Sequence, residues 1–557
     1  MPMPWSGWKR RCSFFLLSGP FLFIRGRFSP ADGPRSPLRR DLLYLGMAVC
    51  EIPILFLGSP VLPWVFGLGL ACLLLALVLY GRMQDAGEFA NALSFLCRPS
   101  FYRFCLAYAA IAWTALLVTY YLSHTYHIWD TGFFGHELAR YVLGGRFDST
   151  ILDKHALADH FCPNLLLLSP FFSLKITFVW LVVFKILAYL ACPFVLLLIG
   201  RQMLGKDSPA VYIAPVLWIF HSLMIRNMEA EFQPSALSLP FILFSFLFAL
   251  KRNHWAMFLT LIFLVGFKEH LPLVWISLGI FLLADQGEYR RGLLIIFLGI
   301  AVGLFVFFIV MPAFNLGQPT EQATKWGPIA LVPAKLALIG TALLSVGLIP
   351  LFSPRSLIMI ISAFTISLIS KVPEMLTFYF HYQDIPLTIL FVGVICGVRD
   401  VQRGTSWICR YSCRHRVYAA LGVFFLLIVA NTFSPAQYIR RHWPTDRDLA
   451  LHREIETLRH QIGADCRLWI VETVGVHFID HPQLKVLDQW RKTWLAPLAD
   501  PHCHWIVITK EPESSVLTPA QYNALKSGID RGLKEGRYRK WDEFRQLDVY
   551  RTSTGCQ

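Results

Sequence analysis

Apolar runs of about twenty residues, parted by short polar loops, recur over the first 433 positions of the chain. A helix rises about 1.5 Å per residue, so a run of that length crosses a bilayer. The pattern predicts spanning segments near 41–58, 62–80, 103–123, 174–199, 209–224, 235–250, 254–267, 271–284, 292–312, 331–351, 355–371, 379–397 and 417–433, about thirteen in all. The stretch 161–173 (FCPNLLLLSPFFS) is too short to span and is read as dipping in from the surface. From 434 the pattern changes. Residues 445–462 have helical spacing with Thr445 or Asp446 as cap. Strand-like runs follow at 466–473, 484–488 and 504–510, then a helix after Thr518-Pro519 and a final hairpin, RYRKWDEF and QLDVYRT. The expectation is a polytopic α-helical membrane protein with a C-terminal soluble α/β domain.

One polar stretch breaks the apolar series, HIWDTGFFGHELARYVLGGRFDSTILDKHALADHFCP at 127–163. It holds Asp130, Glu137, Asp148, Asp153 and Asp159, with Arg140, Arg146 and Lys154 as counter-charges and His127, His136, His155 and His160 among them. Composition alone leaves a solvated loop as good a reading as a site. Glu137 and Arg140 are spaced i,i+3 on a surface helix, GHELARYVL, and are expected to pair there. That helix would lie flat on the bilayer and hold Asp130 at the height of a lipid phosphate.

Charge supplies the orientation. Residues 1–40 are basic, and so are the loops at 81–83, 200–206, 251–254, 288–291 and 399–416. With the N-terminus inside, all of these come out cytoplasmic, following the positive-inside rule. The stretch 124–163 then lies outside. So do Arg226, Glu229 and Glu231 in IRNMEAEFQPSA, Lys268, Glu269 and His270 in VGFKEHLP, Glu374 and His381 in PEMLTFYFHYQDIP, and everything after about 434. Ionisable groups near membrane level are costly and usually functional, and four loops supply them to one face.

Composition agrees. The 557 residues are 55% hydrophobic and 16% charged, against about 25% charged in soluble domains, and the mean hydropathy is +0.51. The net charge of +15 collects in short loops between apolar segments, which argues against a nucleic-acid partner. No cleavable signal peptide is evident at the start. The thirteen cysteines form no CxxC pair, and most lie in apolar segments. Cys409 and Cys413 fall in a basic loop. Cys466 and Cys503 each begin a predicted strand, and would pair only in an oxidising compartment if the fold brings them together.

The succession WDTGFFGHELARYVLGGRFDST, ALADHFCPNLLLLSP, EAEFQPSALSLP, GFKEHLPLVW and FYFHYQDIPLTIL, closed by a small α/β tail, resembles the DUF2079 family of bacterial membrane proteins, within the GT-C type glycosyltransferases. The resemblance runs from about residue 103 to the C-terminus. Asp130, His160, Pro163, Glu231, Pro234, Lys268 and Glu269 match its short motifs. The chain departs at Trp129, His136-Glu137, Gln233 and His270. The resemblance implies a GT-C-like transmembrane domain at 103–433; the apolar and charge patterns add two extra spans within 41–102 and a cytoplasmic segment 1–40 before it, and a periplasmic domain at 434–557 after it. It implies a bacterial inner-membrane enzyme that takes a sugar from a polyprenyl-phosphate donor to an envelope glycan, lipid or protein, with Asp130 at the reaction centre.

The chemistry gives Asp130 that role on separate grounds. An acceptor hydroxyl attacking an anomeric carbon must lose its proton, which is work for a carboxylate. The departing phosphate needs positive charge around it, and Lys268, Arg226, Arg140 and His381 are the outer-face candidates. Glu231, Glu269, Asp159 and His160 complete the candidate site. A divalent metal held by Asp130, His160 or Asp159, and Glu231 is an alternative with suitable ligand atoms, although no spacing requires it. The rival class is a transporter or lipid flippase, which needs ionisable groups near mid-membrane and often has internal repeats or broken helices. No clear repeat is present, and Lys185 and Lys371 are the charges that break the one-sided pattern. A non-catalytic envelope scaffold would have no need of the acidic first loop and the Lys-Glu turn on one face.

Overall fold

The computed structural model describes residues 98–318, 325, 331–378, 381–406, 439–440, 442–488, 492–510, 517–541 and 544–553. The basic segment 1–40, the segments expected at 41–58, 62–80 and 417–433, and Cys409 and Cys413 lie outside the described residues. The chain divides into two compact units, Met1–Val78 and Leu79–Gln557, and the second contains both the helices and the C-terminal sheet described here.

The helical part runs α1 (Pro99–Leu122), α2 (Phe133–Gly144), a hairpin of β1 (Asp148–Ser149) and β2 (Lys154–His155), then α3 (Val179–Leu204), α4 (Ile213–Phe220), α5 (Ser222–Glu229), α6 (Pro234–Leu250), α7 (His254–Val265), α8 (Pro272–Ala284), α9 (Tyr289–Phe305), α10 (Val332–Ser345), α11 (Pro354–Ala363) and α12 (Asp384–Arg403). Most lie within a few residues of the apolar runs. Proline opens α1, α6, α8 and α11, where its missing N–H leaves no bond unmade. By length and composition, Pro99–Leu122, Val179–Leu204 and Tyr289–Phe314 can each cross a membrane. A fourth crossing arises if Pro209–Phe220 and Ser222–Glu229, bent by 44°, form one broken span. Six shorter apolar helices accompany them, so among the described residues the count does not reach the one expected from the apolar runs. Helices α8 and α9 approach closely through glycine. A Cβ on Gly279 would sit 2.7 Å from the Gly292 carbonyl oxygen, the small-residue contact that lets backbones approach in membranes.

The C-terminal part runs α13 (Asp446–Arg459), β3 (Arg467–Val471), β4 (Leu484–Leu487), β5 (His504–Thr509), α14 (Pro519–Lys534), β6 (Tyr538–Lys540) and β7 (Leu547–Thr552). Thr445 and Thr518 each close a capping box, with Asp448 and Gln521. The sheet order is β4-β3-β5-β7-β6. β3 is parallel to β4 and β5, and β7 is antiparallel to β5 and β6. Strand β5 is buried along its whole length, consistent with its apolar run HWIVIT.

Cys466 and Cys503 form a disulfide, with Cα atoms 5.2 Å apart. The bond closes a loop with a sequence separation of 37 and ties the starts of β3 and β5. Replacing both cysteines by serine is expected to cost on the order of 3 kcal/mol of stability in the C-terminal part. Thermal melting followed by near-UV circular dichroism would read this. In the native protein, the pair should accept a maleimide only after reduction.

Candidate functional site

The polar stretch after α1 lies between the helices and the C-terminal sheet and is bonded to both. The chain turns at His124, with φ of 53°, and enters a π turn at Ile128–Gly132 that carries Asp130. On the helix side, Glu231 holds this turn. One carboxylate oxygen accepts from the His127 backbone N–H at 2.9 Å. The other accepts from the Thr131 N–H at 3.3 Å and from the Thr131 hydroxyl. The same hydroxyl accepts from the Phe232 N–H at 2.9 Å. Lys185 holds Glu231 in turn. From inside α3 its ammonium donates to the carbonyls of Asn227 (2.9 Å), Ala230 (2.5 Å) and Glu231 (3.2 Å). These groups include carbonyls at the C-terminal end of α5, where a cation is favoured. The charge that counted toward a transport reading therefore satisfies the backbone of a neighbouring loop.

Asp130 is half-buried. Its Oδ1 accepts from Gln233 Nε2 at 2.6 Å, and Gln233 Oε1 accepts from Lys268 Nζ at 2.6 Å. The carboxylate and the ammonium are thus linked through an amide rather than touching. Burial pushes the Asp130 carboxyl above its ordinary value, and Lys268 and His160 oppose this. Burial likewise lowers Lys268, while Glu269 and Asp130 support its charge. Burial works against ionisation of Glu269 too. The His160 ring, His270 and Lys268 nonetheless hold that carboxyl well below the ordinary range. Glu269 accepts from the Phe161 N–H at 3.2 Å and lies 3.2 Å from His160 Nδ1; His160 Nε2 is 3.7 Å from Asp159. Asp130, Glu231, Lys268, Glu269, His160 and Asp159 thus fall into one connected region.

The remaining candidates have other surroundings. Arg226 is 3.6 Å from Glu229, which also accepts from the Tyr120 hydroxyl. Arg140 bonds Asp148 at 2.5 Å and the Pro482 carbonyl at 2.7 Å, and so is engaged with the hairpin and the C-terminal part. The expected Glu137–Arg140 pair is not formed. Glu137 is fully buried, and neither carboxyl oxygen has a hydrogen-bond partner among the described residues. Burial pushes it well above its ordinary value, with Asp159 and Asp148 adding to the rise. A neutral carboxyl fits that position, because an unpaired buried charge would be costly. Helix α2 accordingly packs its first turns inward, with His136 bonded to the Ile479 carbonyl (2.8 Å) and the Thr150 hydroxyl (2.9 Å). The side chain of His381 lies outside the described residues.

For a metal, the test is the arrangement of ligand atoms. Among the described residues no group of three or more His, Cys, Asp and Glu side chains is placed to hold one. Asp130 faces Gln233, Glu231 faces the π turn, and His160 faces Glu269. No step is derived through a metal.

Four participants were given no role by the sequence reading. Gln233 stood out only as a departure from a motif, yet it is the bridge. Thr131 and His127 flank Asp130 without a signal of their own. Glu472, in the C-terminal part, lies 3.2 Å from His127 Nδ1, and nothing in its local sequence points to this site.

The fold and site define a polytopic helical membrane protein with a connected cluster of buried and half-buried charged groups and a C-terminal mixed sheet. Residues 120–469 match a family model described as a predicted membrane protein (DUF2079), and the chain belongs to that family. Two crystal structures of ArnT from Cupriavidus metallidurans have a similar fold. One is bound to undecaprenyl phosphate, with a TM-score of 0.50, covering 82% of this chain and 99% of its own. The other is in the apo state, with a TM-score of 0.51, covering 82% and 100%. Each is 12% identical, so the likeness is one of fold. No curated protein matches the chain.

Two outcomes test this network. Burial pushes Glu231 up to about 7, against the influence of His127 and Thr131. Infrared titration should therefore show a protonated-carboxyl band fading with a midpoint near pH 7, and Glu231→Gln should remove that component. Because this folded-state value lies above the ordinary carboxylate range, the group's contribution to stability falls as pH rises through it. Lys185→Met leaves buried carbonyls without their donor and should cost on the order of 3 kcal/mol, read as a lower melting temperature in detergent or nanodiscs.

Proposed function

We propose that the protein is a membrane glycosyltransferase of the GT-C type, using a polyprenyl-phosphate sugar donor at its outer face. The acceptor is an envelope glycan, lipid or protein. The observation that carries this reading is the Asp130–Gln233–Lys268 chain, a carboxylate and an ammonium held about one amide apart at the outer region. The fold shared with ArnT, a GT-C glycosyltransferase seen with undecaprenyl phosphate, supports a polyprenyl-phosphate ligand. The basic loops support an inner-membrane protein with a cytoplasmic N-terminus and a periplasmic C-terminal part. The Cys466–Cys503 disulfide agrees with that compartment.

In this reading the acceptor hydroxyl gives its proton to Asp130 as its oxygen bonds the anomeric carbon. The bond from that carbon to the phosphate oxygen breaks, and the electron pair leaves with the polyprenyl phosphate. Lys268 stabilises the charge on the departing phosphate, with Arg226 and His381 as further candidates. Partial desolvation makes Asp130 more basic, in the direction a general base requires. The amide of Gln233 keeps Lys268 from quenching that basicity by direct contact. Glu231 and Glu269 hold the two loops that bring base and cation together. Arg140, engaged with Asp148, organises the hairpin instead of binding the donor.

The test is protein reconstituted in lipid nanodiscs with labelled undecaprenyl-phosphate sugars. Asp130→Asn should bind undecaprenyl phosphate within about twofold of the wild type and lose about a hundredfold or more of transfer. Lys268→Met should weaken undecaprenyl-phosphate binding by about tenfold or more. Full transfer by Asp130→Asn would remove it as the base.

A further inference from the structure

We propose that Glu472, which reaches in from the C-terminal part, is a positioning residue of the outer site and acts by holding His127 and the turn that carries Asp130. The inference rests on the reading of Asp130 as the site's centre. Glu472 follows directly on β3 and opens the short helix Glu472–Gly475. It therefore stands at the carboxyl end of a strand whose two neighbours are both parallel to it, the edge at which open α/β sheets meet ligands. Here that edge meets the π turn.

Four residues of the segment after β3 approach the turn or the residues just before it. Glu472 Oε1 is 3.2 Å from His127 Nδ1. A Cβ on Gly475 would lie 3.6 Å from the Ile128 side chain, and one on Gly132 would lie 3.3 Å from the Val476 Cα. His477 Nε2 is 3.0 Å from His124 Nδ1. His127 is consequently met from two sides. Its backbone N–H donates to Glu231 from the helix side, and its ring faces Glu472 from the sheet side. Asp130 follows three positions later, in the same turn, closed by the Gly132 N–H donating to the His127 carbonyl at 3.1 Å. A change at the His127 ring is therefore a change at the anchor of the turn. The Glu472 charge also favours the protonated form of Asp130, which adds to its basicity.

The decisive experiment is hydrogen exchange on the full chain in nanodiscs, following the peptide that spans 124–132. Four variants are compared: E472Q, E472D, H127Q and E472Q with H127Q. The change to glutamine keeps the shape and removes the charge. Exchange should quicken about tenfold in E472Q and in H127Q, and the double variant should be no faster than the faster single. E472D should stay within about twofold of wild type, a rescue that mere space-filling does not predict. Transfer from a labelled undecaprenyl-phosphate sugar should fall about three- to tenfold in E472Q and stay normal in E472D, while undecaprenyl phosphate, used as the probe, should bind both within about twofold of the wild type. Wild-type exchange in E472Q, multiplying effects in the double variant, or E472D behaving like E472Q would each overturn the proposal. If the wild type does not bind undecaprenyl phosphate, the functional reading falls, and the exchange cycle still decides the role of Glu472.

Discussion

The turn that carries Asp130 depends on one buried ammonium. Lys185 lies within α3 and is 2% exposed. A cation in that setting is costly unless its donors are used, and it uses them on carbonyls at and just beyond the end of α5. Those bonds fix the backbone of Glu231, Glu231 fixes the turn at His127 and Thr131, and the turn fixes Asp130. Lys185 thus braces the turn through Glu231, and Lys268 reaches Asp130 through Gln233. Each partner satisfies a buried group that would otherwise be left unpaired.

The polar stretch after α1 carries many acids and histidines because it has two faces to satisfy. Toward the helices it meets Glu231 and Glu269. Toward the sheet it meets carbonyls, as His136 does at Ile479, Arg140 at Pro482 and the Thr150 hydroxyl at Leu484. Lys485 reaches back to Asp153 at 2.6 Å. A free surface loop would spend such groups on water. Here they replace water at a covered interface, and for that reason the C-terminal part cannot be regarded as an independent appendage.

In the proposed transfer reaction the amide between Asp130 and Lys268 matters for the chemistry. A direct ion pair would stabilise the carboxylate and leave it a poor base. A neutral bridge transmits orientation with less loss of basicity. Gln233, a departure from the family's motif, supplies both the donor and the acceptor that such a bridge needs.

The sequence by itself determined where most of the described helices run. Apolar period, proline at helix starts and the threonine caps of α13 and α14 are local signals, and the elements follow them closely. It also marked Asp130, Glu231, Lys268 and Glu269, because ionisable groups beside apolar runs are rare enough to stand out. Only the tertiary structure decided their partners. Glu137 and Arg140 have pairing spacing, yet α2 turns Glu137 into the interior and Arg140 toward Asp148. Lys185 finds its acceptors on another helix, and Glu472 meets His127 across most of the described chain. Spacing reports neighbours along one element, whereas burial and hydrogen-bond satisfaction are settled between elements, after the helices and the sheet have packed.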